Sequence, residues 1–220
     1  MAKTILNQFQ IKLLADFKRS SLSKKFYLSG GTALSEFYLH HRLSEDLDFF
    51  TQEELNLDEL KKFINSISKK NPTNKIEYQR GYGLYTFFLT MKTGERHKID
   101  FGQYPFGPIE PLKNFDGLQV ESLFDIAVNK AQTIAFRPRL RDFIDLYLIL
   151  QQESDWFFQD LLEKSFEKFE MRADALQVGQ NLLEVKKQID MPVIIKEVDM
   201  NKVIMFFLNE AKKLKSKILK

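Results

Sequence analysis

Apolar residues recur at two different spacings in the first half of the chain. A spacing of about four residues, running from Ile5 to Phe17, predicts an amphipathic helix over residues 4–22, and a similar stripe predicts a helix over 57–68. Shorter runs are apolar throughout or alternate between apolar and polar residues, as is typical of β-strands. These runs are 26–28, 46–50, 75–80, 84–91 and 96–101.

The second half of the chain shows only helical spacing. The predicted helices cover 121–136, 139–151, 156–170, 173–188 and 201–214. Ahead of them, residues 102–117 hold three of the six prolines and three of the nine glycines, a composition typical of a linker or an irregular excursion. We therefore predict an α+β fold, with a mixed sheet and flanking helices in residues 1–117 and an all-α domain in residues 118–220.

Composition narrows the possible classes of protein. The 220 residues include 21 Phe and no Cys, which indicates an aromatic core without disulfides or thiolate metal sites. The net charge of +3 is too small to indicate a nucleic-acid partner from bulk electrostatics. No apolar run reaches membrane-spanning length and the N-terminus lacks an apolar signal core, so we expect no membrane association and a cytoplasmic location.

The segment from residue 27 to residue 50 combines a glycine turn with an acidic pair. Gly30 and Gly31 allow a tight turn or a close approach to a ligand, and Thr32 opens a predicted helix, so that backbone N–H groups there suit a phosphate. Asp46 and Asp48 follow on one face of a predicted strand, close enough to share bound cations. The alternative is a hairpin-like turn followed by two solvated carboxylates.

A third carboxylate candidate lies on the predicted strand 96–101. Ile99 and Phe101 share one face of this strand, so Asp100 points to the other face together with Lys98. We expect Phe101 and the corresponding Phe49 to be buried in the core, on the sides of their strands opposite to the acids. A solvated aspartate at a strand end is the alternative.

These residues resemble a known family. Gly30 to Ser35, followed by the segment from His41 to Phe50, resembles the AbiEii/AbiGii-type nucleotidyltransferase toxins of bacterial abortive-infection and toxin–antitoxin systems. The resemblance implies a nucleotidyltransferase-like sheet and a nucleoside triphosphate (NTP) as substrate, with Mg²⁺ or Mn²⁺ as cofactor. It also implies roles for individual residues: metal ligands Asp46, Asp48 and Asp100, which are also catalytic, and nucleotide-binding residues Gly30, Gly31, Thr32, Arg42 and Ser44.

The helical half carries a second set of charged residues. Asp142 and Asp145 lie among apolar residues of the predicted helix 139–151, so this helix is expected to be covered on both sides and its carboxylates to be paired. With Lys130 they resemble a Lys…Arg-Asp-x-x-Asp-Leu motif of the same family. That resemblance makes Lys130 a catalytic triphosphate ligand and Asp142 an active-site acid, with Asp145 structural, and predicts that residues 118–220 complete the active-site cleft. The alternative is a buried interdomain salt-bridge network that anchors the two halves of the chain to each other.

The sequence therefore predicts an enzyme that transfers a nucleoside monophosphate from an NTP and releases pyrophosphate. The resemblance implies RNA, in particular tRNA, as the acceptor, a toxin function, and a cognate antitoxin as a partner. Two alternatives stay open. The acceptor is a small molecule or a protein in the first, and in the second the chain is an inactive nucleotide-binding or antitoxin-binding module, although the intact acids argue against the latter.

Overall fold

The computed structural model describes residues 4–187 and 189–218, for which side chains are described up to residue 214. The chain divides into two compact units. The N-terminal unit consists of Met1–Tyr38 and Leu43–Ser122, and the C-terminal unit consists of Leu39–Arg42 and Leu123–Lys220. The short segment Leu39–Arg42 thus belongs to the unit that is formed mainly by the second half of the chain.

The N-terminal unit contains a mixed sheet, in which the described residues form seven strands in the order β3-β4-β5-β2-β1-β7-β6. Two pairs of neighbours are parallel, β2 with β5 and β1 with β7, and the other pairs are antiparallel. The strands are β1 (Tyr27–Ser29), β2 (Leu47–Thr51), β3 (Thr73–Gly81), β4 (Leu84–Met91), β5 (Arg96–Gln103), β6 (Lys113–Phe115) and β7 (Leu118–Val120). The predicted mixed sheet is confirmed.

Two α-helices of this unit, α1 and α3, begin at side-chain caps, and α2 begins directly after a strand. Helix α1 (Gln8–Arg19) starts at a capping box, in which Asn7 accepts from the Gln10 backbone and the Gln10 side chain accepts from the Asn7 backbone. Helix α2 (Gly30–Leu34) follows β1 directly and continues as a π-helical turn to Leu39. Helix α3 (Leu57–Lys70) is capped by the Asn56 side chain.

Phenylalanine rings fill the space between α1, α3 and the sheet. Phe17 of α1 stacks on Phe49 of β2 with ring centroids 4.2 Å apart, and Phe63 of α3 meets Phe101 of β5 edge-on at 6.4 Å. Phe49 and Phe101 are fully buried and stack on each other at 5.3 Å. The prediction that these two residues point away from the acids into the core is confirmed. The high phenylalanine content is explained by this aromatic core.

Residues 102–117 were predicted to be a linker or an irregular excursion, and this was only partly right. β6 and β7 form a hairpin, and β7 adds to the sheet through parallel pairing of Val120 with Leu28. The predicted domain boundary after residue 117 falls at the turn of this hairpin. Strands of three residues have too few positions to show a period of two, so the sequence pattern did not indicate them.

The C-terminal unit is helical, as predicted. Its α-helices are α4 (Leu123–Phe136), α5 (Leu140–Gln152), α6 (Phe158–Phe169), α7 (Ala175–Leu183) and α8 (Met200–Ile218). Phe207 of α8 packs edge-on against Phe143 and Phe158. A buried ion pair between Lys168 and Asp125 joins α6 to α4 at 2.8 Å. Among the described helices, none has a stretch of sufficient length and apolar character to cross a membrane.

Candidate active site

The glycine turn and the acidic strand are in direct contact. Ser29, the last residue of β1, is paired with Asp48 of β2. Gly30 follows with φ at +72°, a conformation that favours glycine. A Cβ atom at this position would lie 2.3 Å from Asp48 Oδ2, so the Asp48 carboxylate occupies space that only a glycine leaves open. The turn therefore positions Asp48.

Thr32 holds the backbone at the other acid of the pair. Its side chain is fully buried, and its hydroxyl donates a hydrogen bond to the backbone carbonyl of Asp46. The hydroxyl is thus engaged in fixing the start of β2. A contact between Thr32 and a phosphate, as predicted from the sequence, would come from its backbone N–H.

Gln10 of α1 fixes the segment that precedes Asp46. Its side-chain nitrogen donates to the carbonyls of Ser44 at 2.9 Å and Glu45 at 3.1 Å, while its side-chain oxygen takes part in the α1 capping box. The Gln10 residue is almost fully buried. The predicted nucleotide-binding residue Ser44 is therefore held by its backbone, and its side chain is half-buried.

Asp100 joins the acidic pair through the strand order. β2 and β5 are parallel neighbours, and Asp48 lies directly opposite Asp100 in their register. Lys98, two residues before Asp100 on the same face, places its ammonium 2.7 Å from Asp100 Oδ2 and 3.1 Å from Asp46 Oδ2. Burial alone would lower the pKa of Lys98, but the carboxylates of Asp100 and Asp46 outweigh it and raise that pKa above its usual value.

These acids fit a divalent cation, although their present arrangement is not a complete metal cage. Asp100 Oδ1 is buried and has no hydrogen-bond partner among the described residues, and the Lys98 ammonium already places a positive charge between two of the acids. Oxygen donors of this kind are the ligands that Mg²⁺ prefers. Within residues 4–187 and 189–218, no group of three or more His, Cys, Asp or Glu side chains is gathered closely enough to hold one ion.

A buried polar cluster lies behind the glycine turn. The Ser29 hydroxyl donates to the Glu121 carboxylate, and the Tyr38 hydroxyl donates to the Glu121 backbone carbonyl at 2.7 Å. Burial, followed by the nearby charges of Glu121 and Glu110, raises the pKa of Tyr38 to about 12. The Glu121 backbone N–H in turn donates to the Leu28 carbonyl at 2.9 Å. This cluster ties the end of β1 to the residue that follows β7.

A second charged cluster lies within the C-terminal unit, centred on Asp145 of α5. Arg42 binds the Asp145 carboxylate with two nitrogens at 2.7 and 2.8 Å, and His41 Nε2 lies 2.8 Å from the same group. Lys130 of α4 contacts Asp145 at 2.7 Å and Asp142 at 2.6 Å. All five of these residues are buried. The fifth, Asp142, keeps one oxygen, Oδ2, without a hydrogen-bond partner in the described chain.

The charges of this cluster shift one another's pKa values. Burial would raise the pKa of Asp145, but Lys130, Arg42 and His41 hold it well below its usual value. Burial would lower the pKa of Lys130, but Asp142 and Asp145 raise it. Burial also lowers the pKa of His41, and its interaction with Asp145 does not compensate for that effect. The Asp145 carboxylate is therefore held ionised by two permanent cations and a neutral imidazole.

The structure brings some predicted site residues together. In the N-terminal unit, Asp48 lies beside Gly30 and opposite Asp100, and the Lys98 ammonium links Asp100 to Asp46. Arg42, predicted to bind nucleotide, pairs its guanidinium with Asp145, and its nucleotide-binding role stays a prediction. Lys130 and Asp142 do take part in a buried salt-bridge network, but its residues lie within the C-terminal unit, whereas the alternative was a network between the two halves. Catalytic roles for Lys130 and Asp142 stay a prediction.

The family described as nucleotidyl transferase AbiEii toxin of type IV toxin–antitoxin systems matches residues 12–213 of the chain. The chain belongs to this family. The AbiEii match contains every predicted site residue. The resemblance noted from the sequence is therefore confirmed at the level of the family.

Comparisons with individual proteins give one relative by sequence and two solved structures of similar fold. An uncharacterised protein of Aquifex aeolicus, aq_aa25, is 34% identical over 139 residues, and the match covers 62% of each protein. The crystal structure of JHP933 from Helicobacter pylori has a TM-score of 0.60 at 18% identity, covering 94% of this chain and 90% of that one. A candidate nucleotidyltransferase from H. pylori has a TM-score of 0.61 at 17% identity, covering 96% and 97%. At these identities the two structures support the fold.

Two residues that contact the predicted site residues were not identified from the sequence. The sequence indicated that Lys98 shares a strand face with Asp100. Its contact with Asp46 could not be predicted, because the two residues are 52 positions apart in the sequence. Gln10 fell within the predicted helix 4–22 and was given no role of its own. Its position as the fourth residue of an Asn-x-x-Gln sequence is the signal for its capping role, but no local pattern indicates its contacts with Ser44 and Glu45.

Proposed function

We propose that this AbiEii-family protein is a metal-dependent nucleotidyltransferase toxin that transfers a nucleoside monophosphate from an NTP to an RNA acceptor, with tRNA as the leading candidate. One observation carries the proposal: Asp46 and Asp100 share the Lys98 ammonium, and Asp48 lies opposite Asp100 in the strand register, directly beside a glycine turn. Family membership supports the same activity.

The reaction is a substitution at the α-phosphorus of the NTP. An acceptor hydroxyl oxygen forms a bond to this phosphorus, the bond to the bridging oxygen of the β-phosphate breaks, and pyrophosphate leaves. The acceptor proton passes to a base, for which the unpartnered Oδ1 of Asp100 is the best candidate. Positioning and charge neutralisation supply most of the rate enhancement in such transfers.

In this proposal Asp46, Asp48 and Asp100 hold Mg²⁺ or Mn²⁺. An ion held there would neutralise charge on the triphosphate and would lower the pKa of an oxygen bound to it. The chain prepares this site at several points: Gly30 leaves room for the Asp48 carboxylate, Thr32 fixes the backbone at Asp46, and the strand register sets Asp100 opposite Asp48. Gly30, Gly31 and the Thr32 backbone would hold the triphosphate.

Exposed positive charges on one face of the sheet support RNA as the acceptor. One face of β5 carries Arg96, Lys98 and Asp100, which alternate along the strand with residues of the opposite face. Thr90 of β4 is paired with Arg96 on one side and with Lys75 of β3 on the other, so the side chain of Lys75 lies on the same face of the sheet. Lys75 and Arg96 are exposed. Exposed cations on the face that carries the acids suit an acceptor with a phosphate backbone.

Four further parts of the proposal rest on the family alone. Lys130 is a triphosphate ligand, Asp142 is an active-site acid, and Ser44 contacts the nucleotide. A cognate antitoxin is proposed as a partner because the family belongs to toxin–antitoxin systems.

The proposal is tested by following a labelled nucleotide. The purified protein is incubated with Mg²⁺ and each of the four α-labelled NTPs, in parallel with total RNA, purified tRNA, a protein extract or a small-molecule extract. We expect label in the RNA lanes, loss of label in EDTA, and no label with Asp48→Asn. Asp116→Asn, which changes an exposed aspartate of the same unit, serves as the matched control and should keep its activity.

Growth after induced expression in a bacterial host provides the second measurement. Arrest that is relieved by Asp48→Asn supports a toxin with a macromolecular target. Label in the small-molecule or protein fraction would replace RNA as the acceptor while keeping the chemistry. No transfer with any NTP, together with NTP binding that is equally tight in EDTA, would refute the enzyme and favour a binding module.

A further inference from the structure

Lys98 gives the acid cluster a cation that belongs to the chain itself. Its ammonium bridges Asp46 and Asp100, two of the three carboxylates proposed to hold the metal, at 3.1 and 2.7 Å. The Asp100 side chain is about nine-tenths buried, with 11% of it exposed, and its other oxygen has no hydrogen-bond partner within the described residues. A buried carboxylate oxygen without a partner is rare and marks a position that another group is suited to fill.

The backbone of Lys98 is held in place by strand β5. Lys98 and Asp100 are separated by one residue on β5, so both side chains leave the same face of the sheet. The ammonium is carried by a flexible four-carbon stem, and 34% of the side chain is exposed. The backbone of Lys98 is therefore fixed beside the site, while its charged end is able to move out of it.

We propose that Lys98 is a resident counter-ion, which holds Asp46 and Asp100 together in the metal-free protein and is displaced when the divalent cation binds. This inference rests on the proposed metal site. The ammonium and a divalent cation would compete for the same two carboxylates, and like charges a few ångströms apart repel each other. Metal entry therefore exchanges one cation for another, so the acids avoid mutual repulsion in both states.

The exchange has a second consequence for the donor nucleotide. When the metal takes over Asp46 and Asp100, the ammonium of Lys98 is released at the rim of the site with its positive charge unpaired. An NTP that arrives with the metal brings several negative charges to the same place. The Lys98 ammonium would therefore exchange its contacts with Asp46 and Asp100 for a contact with the anionic substrate, while its backbone stays in β5.

The proposal is tested by metal affinity, independently of catalysis. Mn²⁺ is titrated into the apo protein without nucleotide, and free Mn²⁺ is measured by electron paramagnetic resonance. Lys98→Met and Lys98→Gln remove the competing charge and should bind Mn²⁺ more tightly by about three- to tenfold, the range expected for the loss of a partly exposed ion pair. Lys98→Arg keeps the charge and should not bind more tightly than the wild type.

Lys18→Met is the matched control. Lys18 also lies 2.7 Å from an aspartate, Asp116, and 29% of its side chain is exposed, close to the value for Lys98. This variant removes the same formal charge from the same unit and should leave Mn²⁺ affinity unchanged within about twofold. In EDTA, both neutral variants at position 98 should melt at a lower temperature than the wild type, and Mn²⁺ should restore part of the loss.

Equal or weaker Mn²⁺ binding by folded Lys98→Met and Lys98→Gln would overturn the counter-ion role and leave the metal site standing. Tightening by the same factor in Lys18→Met would also overturn it, because the effect would then be one of overall charge. An absence of Mn²⁺ binding in the wild type and in both neutral variants would instead remove the metal from the proposed function. The two failures are therefore distinguishable.

Discussion

Replacing Gly30 with alanine tests how closely the turn and the acid pair depend on each other. The new Cβ would lie 2.3 Å from Asp48 Oδ2, more than an ångström inside the 3.4 Å at which ordinary van der Waals contact begins. The residue would also keep a φ of +72°, which costs a residue with a side chain about 1–2 kcal/mol. Both effects act at the position that places the Asp48 carboxylate.

Gly117→Ala separates the two effects. Gly117 has a φ of +82° at the turn between β6 and β7, and a Cβ there would meet nothing within 4 Å. This variant has the backbone cost alone, so we expect a loss of about 1 kcal/mol in the free energy of unfolding and unchanged activity. Gly30→Ala adds the displacement of Asp48, for which overpacking predicts a further loss of about 1–3 kcal/mol.

The effect on catalysis should exceed the effect on stability. Displacing a catalytic group by about 1 Å costs roughly 100-fold in rate, so kcat/KM of nucleotide transfer should fall by about that factor in Gly30→Ala. Urea unfolding and the labelled-NTP assay measure the two quantities on the same protein preparations. If Gly30→Ala and Gly117→Ala proved equal in stability and in activity, Asp48 would not depend on the glycine, and the reasoning would be refuted.

Three further predictions concern buried polar groups. Asp145→Asn should lower the free energy of unfolding by about 3–5 kcal/mol, because it leaves buried cations uncompensated, whereas exposed Asp116→Asn should leave urea unfolding unchanged. The free energy of unfolding should decrease as the pH falls below about 6.5, because burial holds the folded-state pKa of His41 below its unfolded value, and it should decrease again below about pH 4, where Asp145 becomes protonated in the unfolded chain. His41→Asn should reduce the dependence of the free energy of unfolding on pH between pH 7 and 5.5, as measured by urea unfolding. An unchanged dependence in this variant would exclude His41 as its source. Thr32→Val should lower the free energy of unfolding by about 1–3 kcal/mol and impair nucleotide transfer, because it leaves the Asp46 carbonyl without its hydrogen bond. Thr32→Ser keeps the hydroxyl and should behave nearly like the wild type. Equal losses of stability and activity in the two variants would contradict the role of this hydrogen bond.

Strand and helix periodicity could be interpreted from the sequence because it depends on near neighbours along the chain. The alternation of residues along the two strands predicted that Asp48 and Asp100 lie on the face opposite to Phe49 and Phe101. Both phenylalanine rings are fully buried. In the same way, the apolar stripes located the long helices of both units. The specific order of the glycine turn and the acids was also sufficient to identify the AbiEii family.

Tertiary structure decided which of these groups meet. The parallel pairing of β2 with β5 sets Asp48 opposite Asp100, and a shift of one residue would have placed Asp48 opposite a core residue, Ile99 or Phe101. Arg42 stands four residues before Asp46 in the sequence, yet its guanidinium pairs with Asp145, 103 residues away. Such pairings depend on loop closure and on burial across a whole unit, so no window of local sequence contains them. The sequence by itself therefore determined the chemistry available to this protein, and folding determined which charge each residue faces.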